Sequence, residues 1–358
     1  MTYRILTASY TSSVYTLEFD PSKSSQSALT LSSSLEVGYH PSWIERHPQH
    51  PDVIFTALEQ ADGRLLALQY DLNTGKGRVI ANEWSGGDHP CTLLCSGKEI
   101  LVGNYSSGTI GIFEQPSIVS ESTGGQITLK QTQLPLQFSG SGPCKELLVP
   151  DLGADTIWRL SRSNDGVWEK KGQLEFDKHP GGGPRHVITY DSKLYTLLEL
   201  TNKLTAHSFT SDKVPELLSE ITLSMPTGLD PLTMLAAELL CPQTNDLFPV
   251  PLLYASNRND PRPNGDVISI FTMLSSNSSK LELVGELETG LNHVRSFIFF
   301  GPQDKYLIAG GANGGGVKVF ERLESVGGSV PGARLKEIAR LVVDTNDSGL
   351  APTGFLCL

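Results

Sequence analysis

Four charged side chains could together hold and transform a small anion: Arg185 in "GPRH", Glu199 in "LLELTN", Arg258 in "YASNRN" and Arg295 in "NHVRSF". Arginine presents a planar fork of donors that matches a carboxylate or a phosphate. A glutamate set among arginines can give or accept a proton. The same residues also allow a plainer arrangement, an Arg185–Glu199 ion pair that only ties two strands together. The stretch "HPGGGPRHVITY" (179–190) invites comparison with phosphate loops and metal sites. It has neither the GK[ST] ending of a P-loop nor a following helix, and the dinucleotide pattern GxGxxG is missing. His179 and His186 stand seven residues apart with no third ligand in a clear pattern, so no metal site is expected. The glycines read as a tight strand entry. No GxSxG elbow occurs, which disfavours a serine nucleophile.

The elements that must position these residues repeat along the chain. Seven copies of one unit recur, each an apolar strand, a polar or small pause, and a second apolar strand. They are "ILTASYTSSVYTLEF", "VIFTALEQADGRLLALQY", "ILVGNYSSGTIGIF", "LLVPDLGADTIWRL", "LYTLLELTNKLTAHSF", "LLYASNRNDPRPNGDVISIF" and "LIAGGANGGGVKVF". Pause residues Ala57, Asn104, Asp151, Glu199 and Asn257 are spaced by 47, 47, 48 and 58 residues. A period in the forties, with two hairpin strands per unit, matches a four-stranded propeller blade.

The remaining strands flank each hairpin. Short strands, usually opened by proline, come before it: "HPSWIERH", "HPCTLLCSG", "LPLQFSG", "GPRHVITY", "LTMLAAELL" and "HVRSFIFFG". More polar strands such as "GRVIANEW" and "KLELVGELE" come after it, as half-exposed edges should. The first hairpin has no inner strand before it, and "APTGFLCL" (351–358) reads like one. The expectation is therefore an all-β, seven-bladed β-propeller, one domain over residues 1–358, with the C-terminal strand completing the first blade and closing the ring. "PSIVSESTGG" (116–125) and "SNRNDPRPNGD" (256–266) are read as loop insertions. "KVPELLSEITL" (213–223) fits an amphipathic helix or an outer strand equally well. In a propeller, Arg185 and Arg295 begin inner strands, while Glu199 and Arg258 sit at hairpin pauses. Such positions converge on the mouth of the central channel.

Composition narrows the partners. Net charge is −11, which argues against nucleic acid and anionic membranes. Five cysteines with no CxxC suggest reduced thiols and no disulfide framework. No apolar run approaches the length of a membrane span, and the N-terminal stretch does not read as a signal peptide. A cytoplasmic protein, monomeric, acting on a small anionic substrate without metal or organic cofactor, is expected. His40 and His89, each followed by proline, read as strand-entry caps. Asp151 and Asp155 read as turn residues, and Trp43, Tyr105 and Trp158 as packing aromatics between blades.

"LLVPDLGAD", "GGGPRHV", "LLEL", "HPCTLL", "VGNYSSGTIGIF" and "YASNR" together resemble the lactonase family of seven-bladed propellers over nearly the whole chain. That family includes a cofactor-independent 6-phosphogluconolactonase and the fungal 3-carboxy-cis,cis-muconate cyclase. The resemblance implies acid/base chemistry by a histidine, a glutamate and two arginines. Glu199, Arg185 and Arg258 match three of the four, with the arginines binding substrate carboxylates or a developing enolate-like charge. At the family's histidine this chain departs from the pattern. The inner strand of the fourth blade reads "LPLQFSG", with Leu134 and Leu136 where histidines would stand. Leucine transfers no proton. Three routes stay open: His89, His179 or His186 takes over, the chemistry needs only Glu199 and the arginines, or the site binds without catalysis. Arg295, His89, His179 and His186 are the expected substrate contacts. The leading expectation is a lactone-processing enzyme, by hydrolysis or muconate-type cyclisation. The rival is a propeller that only binds a ligand or protein partner.

Overall fold

The computed structural model describes residues 1–96, 98–115, 131–132, 146–163, 167–176, 180–210, 213–274, 280–325, 327–342 and 349–358. Leu134, Leu136, His179 and the insertion at 116–125 lie outside the described residues. The chain is all-β, with one antiparallel sheet for each of the seven repeats, the blades of a β-propeller. Among the described residues the only helices are single 3-10 turns, Pro231–Thr233 and Pro302–Asp304. Segment 213–223 resolves as an outer strand, Leu217–Thr222, whose alternating exposure follows its sequence.

The described chain forms two compact units. The first holds residues 1–138 and 339–358. Its first sheet runs Pro352–Cys357, Tyr3–Ser9, Ser13–Phe19, Leu29–Glu36, so the C-terminal strand does complete it. Two further sheets of this unit have hairpins Val53–Leu58/Arg64–Tyr70 and Glu99–Asn104/Thr109–Glu114. Apolar side chains of neighbouring sheets meet face to face, for example Leu6, Ile44, Ile54 and Leu68 in one layer, and Phe55, Leu65, Val102 and Phe113 in the next. A middle strand is therefore covered on both faces, which is why Val53–Leu58 is apolar or small throughout.

The second unit, residues 139–338, holds the other four hairpins: Glu146–Asp151/Thr156–Arg162, Lys193–Leu198/Lys203–Ser208, Leu252–Arg258/Val267–Thr272 and Tyr306–Gly310/Val317–Arg322. The inner strands of the last three are Pro184–Tyr190, Leu235–Leu240 and Phe297–Phe300. Arg295 was expected to begin an inner strand. It lies just before Phe297–Phe300, in the entry to it.

One turn recurs at these strand entries. His40, His89 and Ala351 in the first unit, and Gly183 and His293 in the second, all have positive φ, between 37° and 66°. Each carbonyl accepts from an amide one or two residues after the first strand of its hairpin: Glu59, Tyr105, Tyr10, Glu199 and Ala312 respectively. The expected cap role of His40 and His89 thus falls to their backbones. His40 stacks its ring on Tyr39, with centroids 3.6 Å apart. Tyr105 departs from expectation. It follows the strand end at Asn104 and is 54% exposed, so it packs between no blades.

Candidate functional site

The second unit brings Arg185, Glu199 and Arg258 together. Arg185 is the second residue of its strand. Pairing with the neighbouring strand slips between Pro184 and His186, leaving Arg185 in the bulge. A bulge re-aims a side chain and interrupts the alternation of faces. The same slip occurs at Pro41/Trp43 and Pro90/Thr92, so it belongs to the repeat and not to this blade alone. Arg185 donates from Nε to the Ala237 carbonyl at 2.6 Å and from Nη1 to Glu199 Oε2 at 2.7 Å. Arg258, the last residue of Leu252–Arg258, donates from Nη2 to Glu199 Oε1. Each carboxylate oxygen therefore has its own guanidinium.

The glycine run holds Glu199 in place. Glu199 N donates to the Gly183 carbonyl at 2.8 Å, and Leu200 N to the Gly182 carbonyl at 3.0 Å. Asp155 accepts from Gly181 N at 2.6 Å and from Gly183 N at 2.8 Å. Those amides are spent on a carboxylate of this chain, so the loop is a strand entry and not a phosphate cradle. Among the five left-handed entry residues only Gly183 lacks a Cβ. A Cβ there would come within 2.8 Å of Leu200 Cγ. Asp151 caps the same hairpin, accepting from Ala154 N and from Trp158 Nε1. Asp151 thus has the turn role expected of it, whereas Asp155 spends its carboxylate on the entry loop of the next inner strand.

Glu199 is buried, with its side chain 7% exposed. Burial alone pushes its carboxyl up. The charges and hydrogen bonds of Arg185 and Arg258 outweigh this and hold it below the ordinary carboxylate range. It is ionised at neutral pH. Two guanidiniums converge on this one carboxylate in a site largely shielded from water. There the attraction for an anion is stronger than on an open surface.

The other expected residues fall as follows. His186 Nδ1 lies 3.5 Å from Glu238 Oε1. Burial, then the charges of Arg185 and Arg258, push the imidazole down to about 3. Burial pushes the Glu238 carboxyl up to about 7, against a Ser296 hydrogen bond and the Arg185 charge. At pH 6 both partners are therefore neutral, and the contact is not an ion pair. Arg295 is buried, and burial lowers it to about 10, so it stays cationic at neutral pH. His89 belongs to the first unit. There its N–H donates to the Gln60 carbonyl at 2.8 Å and its buried Nδ1 has no partner among the described residues.

Three residues of this site were not anticipated: Glu238, His293 and Asn259. Glu238 is the one acid in the buried strand "LAAELL", a break in the apolar pattern that marks a special position. His293 Nδ1 lies 3.0 Å from Asn259 Oδ1, and its pKa is pushed down to about 4 by burial and the charges of Arg258 and Arg185.

Glu238 makes stability depend on pH. Its folded pKa lies above the ordinary value, so the folded state keeps this proton longer than the unfolded chain does. Stability falls as pH rises from the ordinary carboxylate value to about 7, then levels off. Replacing Glu238 by glutamine should remove this loss. Urea unfolding at pH 5 and pH 8 should show the variant gaining on the wild type at the higher pH, with a ceiling of about 3 kcal/mol.

Seven sheets, six of four strands and one of three among the described residues, and a buried arginine–glutamate–arginine cluster define a β-propeller with a candidate anion site. The chain belongs to the lactonase family of seven-bladed β-propellers, whose family model matches residues 4–328. Solved structures of the same fold include a candidate 6-phosphogluconolactonase of Bacteroides uniformis ATCC 8492, at 24% identity and TM-score 0.75, covering 100% of this chain and 99% of that one. A candidate 6-phosphogluconolactonase of Bacteroides fragilis NCTC 9343 has 21% identity and TM-score 0.75, covering 100% and 98%. The periplasmic gluconolactonase PpgL of Pseudomonas aeruginosa has 20% identity and TM-score 0.67, covering 95% and 100%. At these identities the likeness is one of fold. Comparison with curated proteins gives no match. No helix among the described residues is long and apolar enough to cross a membrane.

Proposed function

We propose that this protein is a lactone-processing enzyme that hydrolyses the lactone of a small anionic acid, with Arg185 and Arg258 binding the anion. The observation that carries this reading is the pair of guanidiniums that converges on the buried Glu199 carboxylate. Family membership and the lactonase descriptions of its structural neighbours support the substrate class. The positive charges of Arg185 and Arg258 would stabilise the oxyanion formed when water adds to the lactone carbonyl. Glu199 fixes both guanidiniums in the geometry that this requires. Being ionised, it can accept a proton at neutral pH but has none to give. Hydrolysis is therefore favoured over muconate-type cyclisation, which ends by protonating a carbanion equivalent. Arg295, also cationic and buried, adds positive charge to the same unit.

Turnover of 6-phosphogluconolactone, gluconolactone and carboxylated muconolactones, followed by acid release, tests the reading. The wild type should open at least one anionic lactone. Arg258→Ala should raise KM for it by about 10-fold to 100-fold, the loss of one charge-assisted hydrogen bond of about 1.5–3 kcal/mol. A wild-type protein inert across the panel, with a melting temperature unmoved by the corresponding acids, would sink the proposal.

A further inference from the structure

His293 is held more firmly than a loop histidine needs to be. Its φ is +66°, in the left-handed region. Its amide donates to the buried Asp266 carboxylate, which also accepts from Val294 N at 2.7 Å. Its carbonyl accepts from Ala312 N at 3.2 Å. The left-handed turn and the carbonyl bond are those of the other strand entries; here they set a histidine beside the anion site.

The side chain is fixed as well. An amide oxygen only accepts, so the 3.0 Å contact to Asn259 Oδ1 puts the ring proton on His293 Nδ1. Nε2 then carries the lone pair, and it makes no hydrogen bond among the described residues. Asn259 follows Arg258 directly in the chain, so the imidazole is tied to the backbone beside a guanidinium of the anion site. The half-buried ring feels the charges of Arg258 and Arg185 and, in the opposite sense, of Glu199. Asp266 meets only its backbone.

We propose that His293, oriented by Asn259, is the general base of this enzyme, filling from another blade the role that Leu136 cannot fill. The inference rests on the lactone-opening reading above. In the step, a water oxygen bonds to the lactone carbonyl carbon while its proton passes to His293 Nε2. The carbonyl electron pair moves onto oxygen, facing the arginines. When the tetrahedral intermediate collapses, the carbon–ring-oxygen bond breaks and the imidazolium returns its proton to the departing alkoxide. The product is the open hydroxy acid, which ionises to release one proton to solvent, and His293 is neutral again. Burial and the two arginines keep the free imidazole neutral well below pH 6, so Nε2 has its lone pair across the neutral range, as a weaker base than an ordinary imidazole. Asn259 is a positioning residue.

The decisive experiment is the pH profile of kcat/KM for the lactone the wild type turns over, in wild type, His293→Gln and Asn259→Asp, with product-acid binding by calorimetry as the check on fold. The wild-type acid limb should have its midpoint near 4, since activity is lost as pH falls through the imidazole value. His293→Gln should bind the acid normally yet lose about 100-fold or more in kcat. Asn259→Asp places an anion on Nδ1, favours the imidazolium and should move the acid limb up by at least about 1 pH unit. A merely structural histidine would not move that limb. Undiminished kcat in His293→Gln, or an unshifted limb in Asn259→Asp, overturns the role of His293 while leaving lactone hydrolysis intact. A wild type that opens no lactone overturns both.

Discussion

Replacing Glu199 by alanine is expected to destabilise the protein by about 3–5 kcal/mol and to abolish measurable lactone opening. The cost does not come from the attraction that is lost, because a buried ion pair gains little over its desolvation. It comes from what remains. Arg185 and Arg258 would keep their charges and lose the carboxylate they share, and their side chains are only 19% and 12% exposed. Neither can shed its proton, since guanidinium stays charged at any working pH. Glutamine at 199 keeps the volume and one acceptor, so it should lose about half as much stability. A small carboxylate offers a further check. Formate or acetate at high concentration should refill the gap between the guanidiniums and raise the melting temperature of Glu199→Ala, but not that of the wild type. Urea unfolding and thermal melts read both effects. A variant as stable as the wild type would mean that the cluster does not hold its strands together.

The second large effect is expected at Asp266, which is 0% exposed. Its carboxylate accepts from Asp260 N at 2.8 Å, Val294 N at 2.7 Å and the amide of His293. Alanine there leaves three amides without an acceptor. An unsatisfied buried donor costs about 1–3 kcal/mol, so about 4 kcal/mol is expected in total, with some relief from water entering the gap. Asparagine keeps one acceptor oxygen and should cost about half of that. Hydrogen exchange resolves the mechanism. The amides of His293 and Val294 should lose their protection in Asp266→Ala, while those of the strand Lys193–Leu198 keep theirs. A uniform loss across the unit would point instead to global loosening.

The fold was legible because a propeller writes the same short message many times. Each hairpin taken alone is an ambiguous apolar run. Seven at similar spacing are not, and the missing first inner strand together with the spare "APTGFLCL" identified the closing partner. Arg185, Glu199 and Arg258 could be picked out because they occupy comparable places in the repeat. What stayed hidden depends on local geometry. The strand entries at His40, His89 and Gly183 each precede a proline, and that proline makes the repeat visible. At His293 the next residue is Val294, so the equivalent left-handed turn left no trace in residue type. Glu238 was passed over because one acid in an apolar strand reads as a flaw until its burial is known. The bulge at Arg185 has no signature of its own, since pairing slips in the same way beside Ser42 and Cys91. Tyr105 was misjudged because a tyrosine directly after a buried strand looks like core, whereas the chain has already turned outward there.

The strand Pro352–Cys357 pairs with Tyr3–Ser9, joining nearly the first described residues to the last. On the ribosome, Tyr3–Ser9 must wait for a partner strand made long after it. Until that strand is made Tyr3–Ser9 has one edge unsatisfied, and open edges are where chains pair with the wrong partner. The hairpin pairings within each repeat are local and can form as they emerge. This one contact spans almost the whole chain and carries the largest loop-closure entropy. Within its sheet, the pairing with Pro352–Cys357 is therefore the latest to engage as the chain is made.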